Sequence, residues 1–469
     1  MENRLSYIST RGEAPVLGFD DVLLAGLARD GGLYVPDVYP EMAKSDIAAL
    51  RGLGYAEAAA RTLAPFVAGG LGESELAELT RDSYAGFDHA AVVPLSQIDA
   101  NEWILELYHG PTLAFKDLAL QLVGRMFDAV LAKRGERITV VGATSGDTGS
   151  AAIEACRDRD NVDIFMLHPA GRVSEVQRRQ MTTVQASNVY NIAVEGTFDD
   201  CQSMVKALFS DHELRDRLNL SAVNSVNWAR VAAQTVYYFT AAVSLGAPDR
   251  KVAFSVPTGN FGDVYAGYVA AKMGLPVERL VIATNVNDIL VRCLSTGSYT
   301  VTKVVPTISP SMDIQVSSNF ERLLFDLYDR SGKSVAGLMS DLSTKGAFEV
   351  DPGHLAEASA LFRAAEVSEE DTLATMAEIH RSTGLLIDPH TAVGVAAGRR
   401  ERPDAAVPMI HLSTAHPAKF PDAVERATGV RPALPEHLSD LLERPERYDR
   451  LDNDLATVKG YIESKTRAA

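Results

Sequence analysis

Cysteine is scarce. There are three in 469 residues (Cys156, Cys201 and Cys293), far apart in the chain. They form neither a disulfide framework nor a metal-type spacing, which fits a reducing compartment and a cytoplasmic location. Basic charge is also short: 45 Lys and Arg face 62 Asp and Glu, a net charge of −17. No basic stripe interrupts that excess, so a phosphate backbone would be repelled and nucleic acid is not an expected partner. Residues Met1 to Thr10 hold no basic segment followed by an apolar run, so no secretory signal is expected. No run matches the ~20 predominantly apolar residues of a spanning helix. The nearest, Val231 to Pro248, is uncharged but carries Gln234, Thr235, Tyr237, Tyr238, Thr240 and Ser244. It reads as a buried helix of a large soluble domain, and no membrane is expected. Internal repeats and low-complexity tracts are absent too.

What remains is an ordinary globular composition, 46% hydrophobic and 23% charged, in a chain long enough for several domains. Residues 1–92 hold short helical patterns around a turn at Asp30-Gly31-Gly32 and read as a mainly helical cap. From about Glu102, short apolar runs alternate with helical stretches. Strands are expected at Ile138–Val141, Val162–Leu167 and Tyr190–Val194, each followed by a helix. A second series follows at Lys251–Val256, Leu280–Thr284 and Met409–Leu412. This alternation predicts an α/β fold with two parallel-sheet lobes, 93–250 and 251–469, and a site between them at the carboxyl ends of strands. Pro306 to Val350 is less regular, with one amphipathic helix over Asn319–Asp329, and Pro435 to Ala469 reads as charged surface helix.

Two strand–glycine loop–helix units stand out, Val140 to Ser150 and Phe254 to Asp263. Glycines let backbone N–H groups approach a ligand, and a helix N-terminus adds free donors and partial positive charge. Such places suit a carboxylate or phosphate. Neither is a nucleotide motif: no Gly-Lys-Ser/Thr follows, and Gly142, Gly146 and Gly149 fail the G-x-G-x-x-G spacing. Each alone reads as well as a tight turn; the pair points to two anion sites. A third segment, Tyr108 to Leu118, turns at Gly110-Pro111 and places Thr112 to cap a helix carrying Lys116 in its first turns. The dipole and partial burial both push such a lysine toward the neutral, nucleophilic amine needed for a Schiff base. The plainer alternative is a surface lysine paired with Asp117 or Glu106.

Together these segments resemble the threonine synthase family. His109 to Asp117 resembles its pyridoxal-phosphate lysine segment, Ala143 to Ser150 its substrate loop, and Thr258 to Asp263 its phosphate loop. Tyr7 to Gly12, Asp30 to Pro36, Asn224 to Arg230 and Ser413 to Phe420 are similar as well, so the resemblance runs from Tyr7 to Phe420. It is to the longer, bacterial and fungal form with an extra N-terminal domain. The resemblance implies a fold type II enzyme, like the tryptophan synthase β chain. It implies pyridoxal 5′-phosphate as cofactor, and O-phospho-L-homoserine and water converted to L-threonine and phosphate, the last step of threonine biosynthesis.

It also implies roles. Lys116 carries the cofactor and moves protons. Gly259, Asn260, Phe261 and Gly262 hold the cofactor phosphate. Asp263 joins them through its N–H, or its carboxylate caps its own helix. Thr414 faces the pyridine nitrogen. Thr144, Ser145, Asp147 and Thr148 hold the substrate α-carboxylate; the Asp147 charge would repel that group, so it either orients the loop or meets the cofactor's 3-hydroxyl region. Arg230 and Lys303 are the candidate cations for the substrate phosphate, with Asn224, Ser225 and Asn227 as neutral donors; Arg230, at a helix start, reads as well as a structural residue. No metal ligand set is seen: His109, His390 and His416 read as structural. Other outcomes on one scaffold stay open, a phosphohomoserine lyase or a serine/threonine dehydratase giving 2-oxobutyrate. So does a non-catalytic binding protein. The oligomeric state, monomer or dimer, is also open.

Overall fold

Strand Val252–Pro257 is buried at every position, as a parallel strand covered by helices on both faces must be. It sits at the centre of a six-stranded sheet in the computed structural model, which describes residues 4–144, 146–402 and 404–468. The order is Phe362–Glu366, Val277–Thr284, Val252–Pro257, Met409–Ser413, Glu102–Glu106, Leu95–Asp99. All neighbours are parallel except the last pair. A second sheet runs Asp449–Leu451, Val189–Val194, Val162–Pro169, Ile138–Ala143, Leu220–Ser221, wholly parallel. Two α/β lobes are thus present, as expected, and the six predicted strands all exist.

The expected boundaries need correction at both ends. Leu95–Asp99 and Glu102–Glu106 were assigned to the first lobe but pair into the six-stranded sheet, Glu102–Glu106 lying in register with Met409–Ser413. That pairing spans some three hundred residues, so nothing local announces it. Likewise the chain after Pro435 is not merely surface helix. Asp449–Leu451 adds an edge strand to the five-stranded sheet, and helix Leu455–Lys465 buries Val458 and Ile462 against Phe165, Leu167 and Ile192. Residues 306–350 hold a further helix, Gly332–Lys345, beside the expected one, observed as Phe320–Leu327.

The N-terminal segment is mainly helical, with Tyr55–Val67 and Glu73–Tyr84 the longest elements. It also forms a small antiparallel ribbon, Tyr7–Ser9 with Tyr34–Pro36. Its apolar side chains share one continuous core with both sheets. The uncharged stretch forms helix Trp228–Ser244, buried along nearly its whole length between the lobes. Among the described residues no helix is long and apolar enough to cross a membrane.

Candidate functional site

Residues that follow the carboxyl ends of four parallel strands meet in one cleft: Phe115 after Glu102–Glu106, Thr144 after Ile138–Ala143, Thr258 to Phe261 after Val252–Pro257, and Thr414 and Ala415 after Met409–Ser413. The cleft encloses about 2310 Å³, and Lys116, Asp147, Thr148, Asn224, Arg230, the 258–263 loop and Thr414 line it.

Lys116 is the first residue of helix Lys116–Arg134. Thr112 does not cap that helix. Its N–H and hydroxyl both donate to the Asp117 carboxylate, at 2.8 and 2.6 Å. Asp117 is thereby turned away from Lys116, and the surface ion pair considered above does not form. The Lys116 ammonium instead lies 3.7 Å from Asp147. Burial lowers it to about 8; Asp147 opposes that shift, while Lys419 and Arg230 add to it. At neutral pH this is a lysine within reach of its free base.

In the loop after Val252–Pro257, Phe261 adopts φ 62°, a left-handed turn that launches helix Gly262–Lys272. The backbone N–H groups of Gly259, Asn260, Phe261, Gly262 and Asp263 find no protein acceptor among the described residues. A Cβ on Gly259 would stand 2.5 Å from the Ser311 carbonyl oxygen, so only glycine fits. Asn319 fixes the loop from outside, donating its Nδ2 to the Asn260 carbonyl at 2.9 Å. The Asp263 carboxylate does not cap the helix. It accepts from Tyr237 Oη at 2.5 Å and Tyr238 Oη at 2.8 Å, and burial raises it to about 6 against those two bonds.

The loop after Ile138–Ala143 is arranged differently. Thr144 Oγ1 accepts from the Gly146 and Gly149 N–H groups, at 3.0 and 2.9 Å. Its hydroxyl is consumed in shaping the loop rather than offered to a ligand. The N–H groups of Asp147 and Thr148 find no protein acceptor among the described residues. Ser145 lies outside the described residues. Asp147 Oδ1 accepts from Lys419 Nζ at 2.8 Å and from Gln177 Nε2 at 2.8 Å. Burial alone would raise this carboxyl, but Lys419 and Lys116 overrule it and hold it far below the usual carboxylate range.

Arg230 is buried, and its proton affinity is lowered to about 10 by that burial. Nη1 donates to the Val223 carbonyl at 3.2 Å and Nε has no partner. No carboxylate pairs with it among the described residues. Asn224 and Ser225 line the cleft beside it. Two expected donors are elsewhere. Asn227 caps helix Trp228–Ser244, accepting from the Ala229 N–H at 3.0 Å, and donates to the Leu23 carbonyl at 2.9 Å, so its amide is spent. Lys303 is exposed and is not among the residues lining the cleft. Thr414 lines the cleft, and its carbonyl receives the Phe115 N–H at 2.9 Å, tying it to the lysine segment.

The three histidines weighed as ligands, His109, His390 and His416, have protein partners. His109 sits between Asp88 and Glu106 at 2.7 and 2.8 Å. His416 accepts the Ala418 N–H. His390 bonds Asp388 through Nδ1 and accepts the Ser311 N–H at Nε2, bracing the strand of chain that abuts Gly259. Sequence reasoning missed Lys419, Gln177 and this brace. For Lys419 the signal was its place in the Ser413 to Phe420 motif; the others had none.

A buried lysine of lowered proton affinity and a run of N–H groups without a protein acceptor among the described residues, together in one cleft, fit a phosphorylated aldehyde cofactor. The chain is a fold type II pyridoxal-phosphate enzyme: residues 89–409 match the model of the pyridoxal-phosphate dependent enzyme family. Residues 6–84 match the threonine synthase N terminus and 391–462 the threonine synthase C-terminal domain. The chain is 58% identical to threonine synthase of Pseudomonas aeruginosa over 98% of each chain. It is 43% identical to that of Saccharomyces cerevisiae, again over 98% of each. The crystal structure of pyridoxal-phosphate-bound threonine synthase from Brucella melitensis superposes with a TM-score of 0.97 at 56% identity, covering 99% of this chain and 100% of that one. The chain belongs to the threonine synthase family. Its cofactor is pyridoxal 5′-phosphate, and its reaction forms L-threonine and phosphate from O-phospho-L-homoserine and water; the 2-oxobutyrate alternatives are not favoured.

Proposed function

We propose the following division of labour in the cleft. The N–H groups of Gly259 to Asp263 hold the cofactor phosphate at a helix N-terminus. The Thr414 hydroxyl faces the ring nitrogen, a neutral partner that leaves that nitrogen unprotonated. When bound, the cofactor supplies the electron sink that loosens the protons at the substrate Cα and Cβ. The Lys116 amine holds the cofactor in the resting enzyme and afterwards carries those protons, which its lowered affinity suits. The free N–H groups of Asp147 and Thr148, with the Thr148 hydroxyl, hold the substrate α-carboxylate. Arg230, helped by Asn224 and Ser225, holds the substrate phosphate and stabilises it as it leaves. We place the enzyme in the cytoplasm, supported by three buried free thiols.

The observation that carries this reading is the buried Arg230 guanidinium without a carboxylate. A buried cation left unpaired by its own protein costs stability unless a ligand anion completes it. Arg230→Gln is expected to raise KM for O-phospho-L-homoserine by ~100-fold, the loss of a buried charge-assisted contact, and to weaken inhibition by inorganic phosphate in parallel. An unchanged KM with unchanged phosphate inhibition would remove Arg230 from the site.

A further inference from the structure

Two lysines share one carboxylate at the floor of the cleft. Lys419 is fully buried, and its Nζ lies 2.8 Å from Asp147 Oδ1. The same ammonium donates to the Thr112 carbonyl at 2.8 Å. Thr112 belongs to the segment that leads into Lys116, and Gln180 Nε2 donates to the same carbonyl at 3.0 Å. Asp147 opens the helix of the substrate loop. Lys419 therefore bolts the substrate loop to the lysine segment. With Lys419 and Gln177 on Oδ1, only Oδ2 is left for Lys116, at 3.7 Å, an ion-pair contact longer than a direct hydrogen bond. Ser311 Oγ approaches that oxygen at 3.4 Å.

An uncompensated Asp147 would do two harmful things. It would repel a substrate carrying a carboxylate and a phosphate, and it would bind the Lys116 ammonium and keep it protonated. We propose that Lys419 is a positioning residue for the reaction: it cancels the charge of Asp147 and holds that carboxylate off Lys116, leaving the Lys116 amine available and the substrate loop open to anions. This rests on the reading of Lys116 as the cofactor lysine. On this proposal Asp147 orients the loop as the partner of a second lysine. The charged groups facing Lys116 are Asp147, Lys419 and Arg230. Asp117 is turned to Thr112. Lys116 starts at about 8. Removing Lys419 takes away a like charge and frees Asp147, so the proton on Lys116 becomes harder to lose. Removing Asp147 has the opposite sign.

The test uses cofactor-free protein, in which the pH dependence of Lys116 acetylation is followed by peptide mass spectrometry. Lys419→Met is expected to raise the midpoint by about one unit or more, Asp147→Asn to lower it, and the double variant to fall between them. Lys419→Arg keeps the charge and leaves the midpoint near that of the wild type. In the holoenzyme, adding Asp147→Asn to Lys419→Met recovers part of the lost kcat, which no structural defect at Lys419 alone would allow. An unchanged midpoint in Lys419→Met, or a double variant displaced as far as Lys419→Met, overturns the proposal. If Lys419→Met does not fold, Asp147→Asn decides, since an unmoved midpoint there overturns it equally. Borohydride reduction of wild-type holoenzyme checks the parent reading separately, because label on a lysine other than Lys116 sinks that reading and leaves the midpoints to stand on their own.

Discussion

The two glycine loops follow one pattern in the sequence: an apolar strand, small residues, then a helix with an acid in its first turn. In the folded chain they are opposites. The loop at 144–148 spends Gly146 N–H on its own threonine hydroxyl, and the N–H groups of Asp147 and Thr148 find no protein acceptor among the described residues. In the loop at 258–263 the Thr258 N–H donates to the Ala283 carbonyl at 2.9 Å, and the five that follow find no protein acceptor among the described residues. Few free donors suit the two oxygens of a carboxylate, and many suit the oxygens of a phosphate. The acids diverge as well. Asp147 is compensated by ammonium groups and stays ionised far below the usual range. Asp263 is compensated only by two tyrosine hydroxyls, and burial lifts it to about 6. Position in a helix does not set the state of a buried carboxylate; the charge of its partners does.

The change that breaks this comparison most directly is Gly259→Ala. The added Cβ meets a backbone carbonyl oxygen at 2.5 Å, so the loop itself must shift. A strain of about 2 kcal/mol corresponds to a ~30-fold weaker cofactor affinity, measurable by fluorescence titration of the cofactor-free protein. Unchanged affinity would mean that this loop is not the phosphate cradle.

Asp263→Asn sharpens the contrast between the acids. Because the folded chain holds the Asp263 proton more tightly than the unfolded chain, the stability this group contributes is full below the ordinary carboxylate pKa. It is lost as pH rises through about 6. The amide stays neutral throughout. The difference in urea stability between variant and wild type should therefore move in the variant's favour from acid to neutral pH, by roughly 3 kcal/mol. For Asp147 the sign reverses, its contribution being present at neutral pH and lost only in strong acid. A flat difference for Asp263→Asn would show that its carboxyl titrates in the folded chain as it does in the unfolded one, and would erase the contrast between the acids.

The smallest effect belongs to Lys303→Ala. An exposed side chain outside the cleft should change kcat/KM by no more than about twofold. A tenfold rise in KM would return Lys303 to the substrate phosphate.

Much of this was legible in the sequence because its signals are local. Val252–Pro257 and Val162–Pro169 are fully buried parallel strands, and their apolar runs announced them. The glycine loops and Lys116 were legible because a turn and a helix start need particular residues at fixed spacing, although the cap expected of Thr112 did not form, its hydroxyl going to Asp117. What escaped depends on distant contacts. The pairing of Glu102–Glu106 with Met409–Ser413 leaves no trace in either segment. Asn227 looked like a donor for phosphate because the motif around it is polar; its capping bond and its reach to Leu23 come from the packing of the N-terminal segment. Lys303 looked like a cation for the site because charge is visible in sequence, but the side to which a loop turns is not. Lys419 was passed over for the converse reason: a lysine is read as surface until tertiary structure buries it against a carboxylate.

The most direct measurement is to give the holoenzyme O-phospho-L-homoserine and quantify phosphate, L-threonine and 2-oxobutyrate in the same reaction. Phosphate and threonine in equal amounts, with no oxobutyrate, are predicted. Oxobutyrate rising in step with phosphate, or no phosphate at all, would contradict the assignment of this cleft to threonine formation.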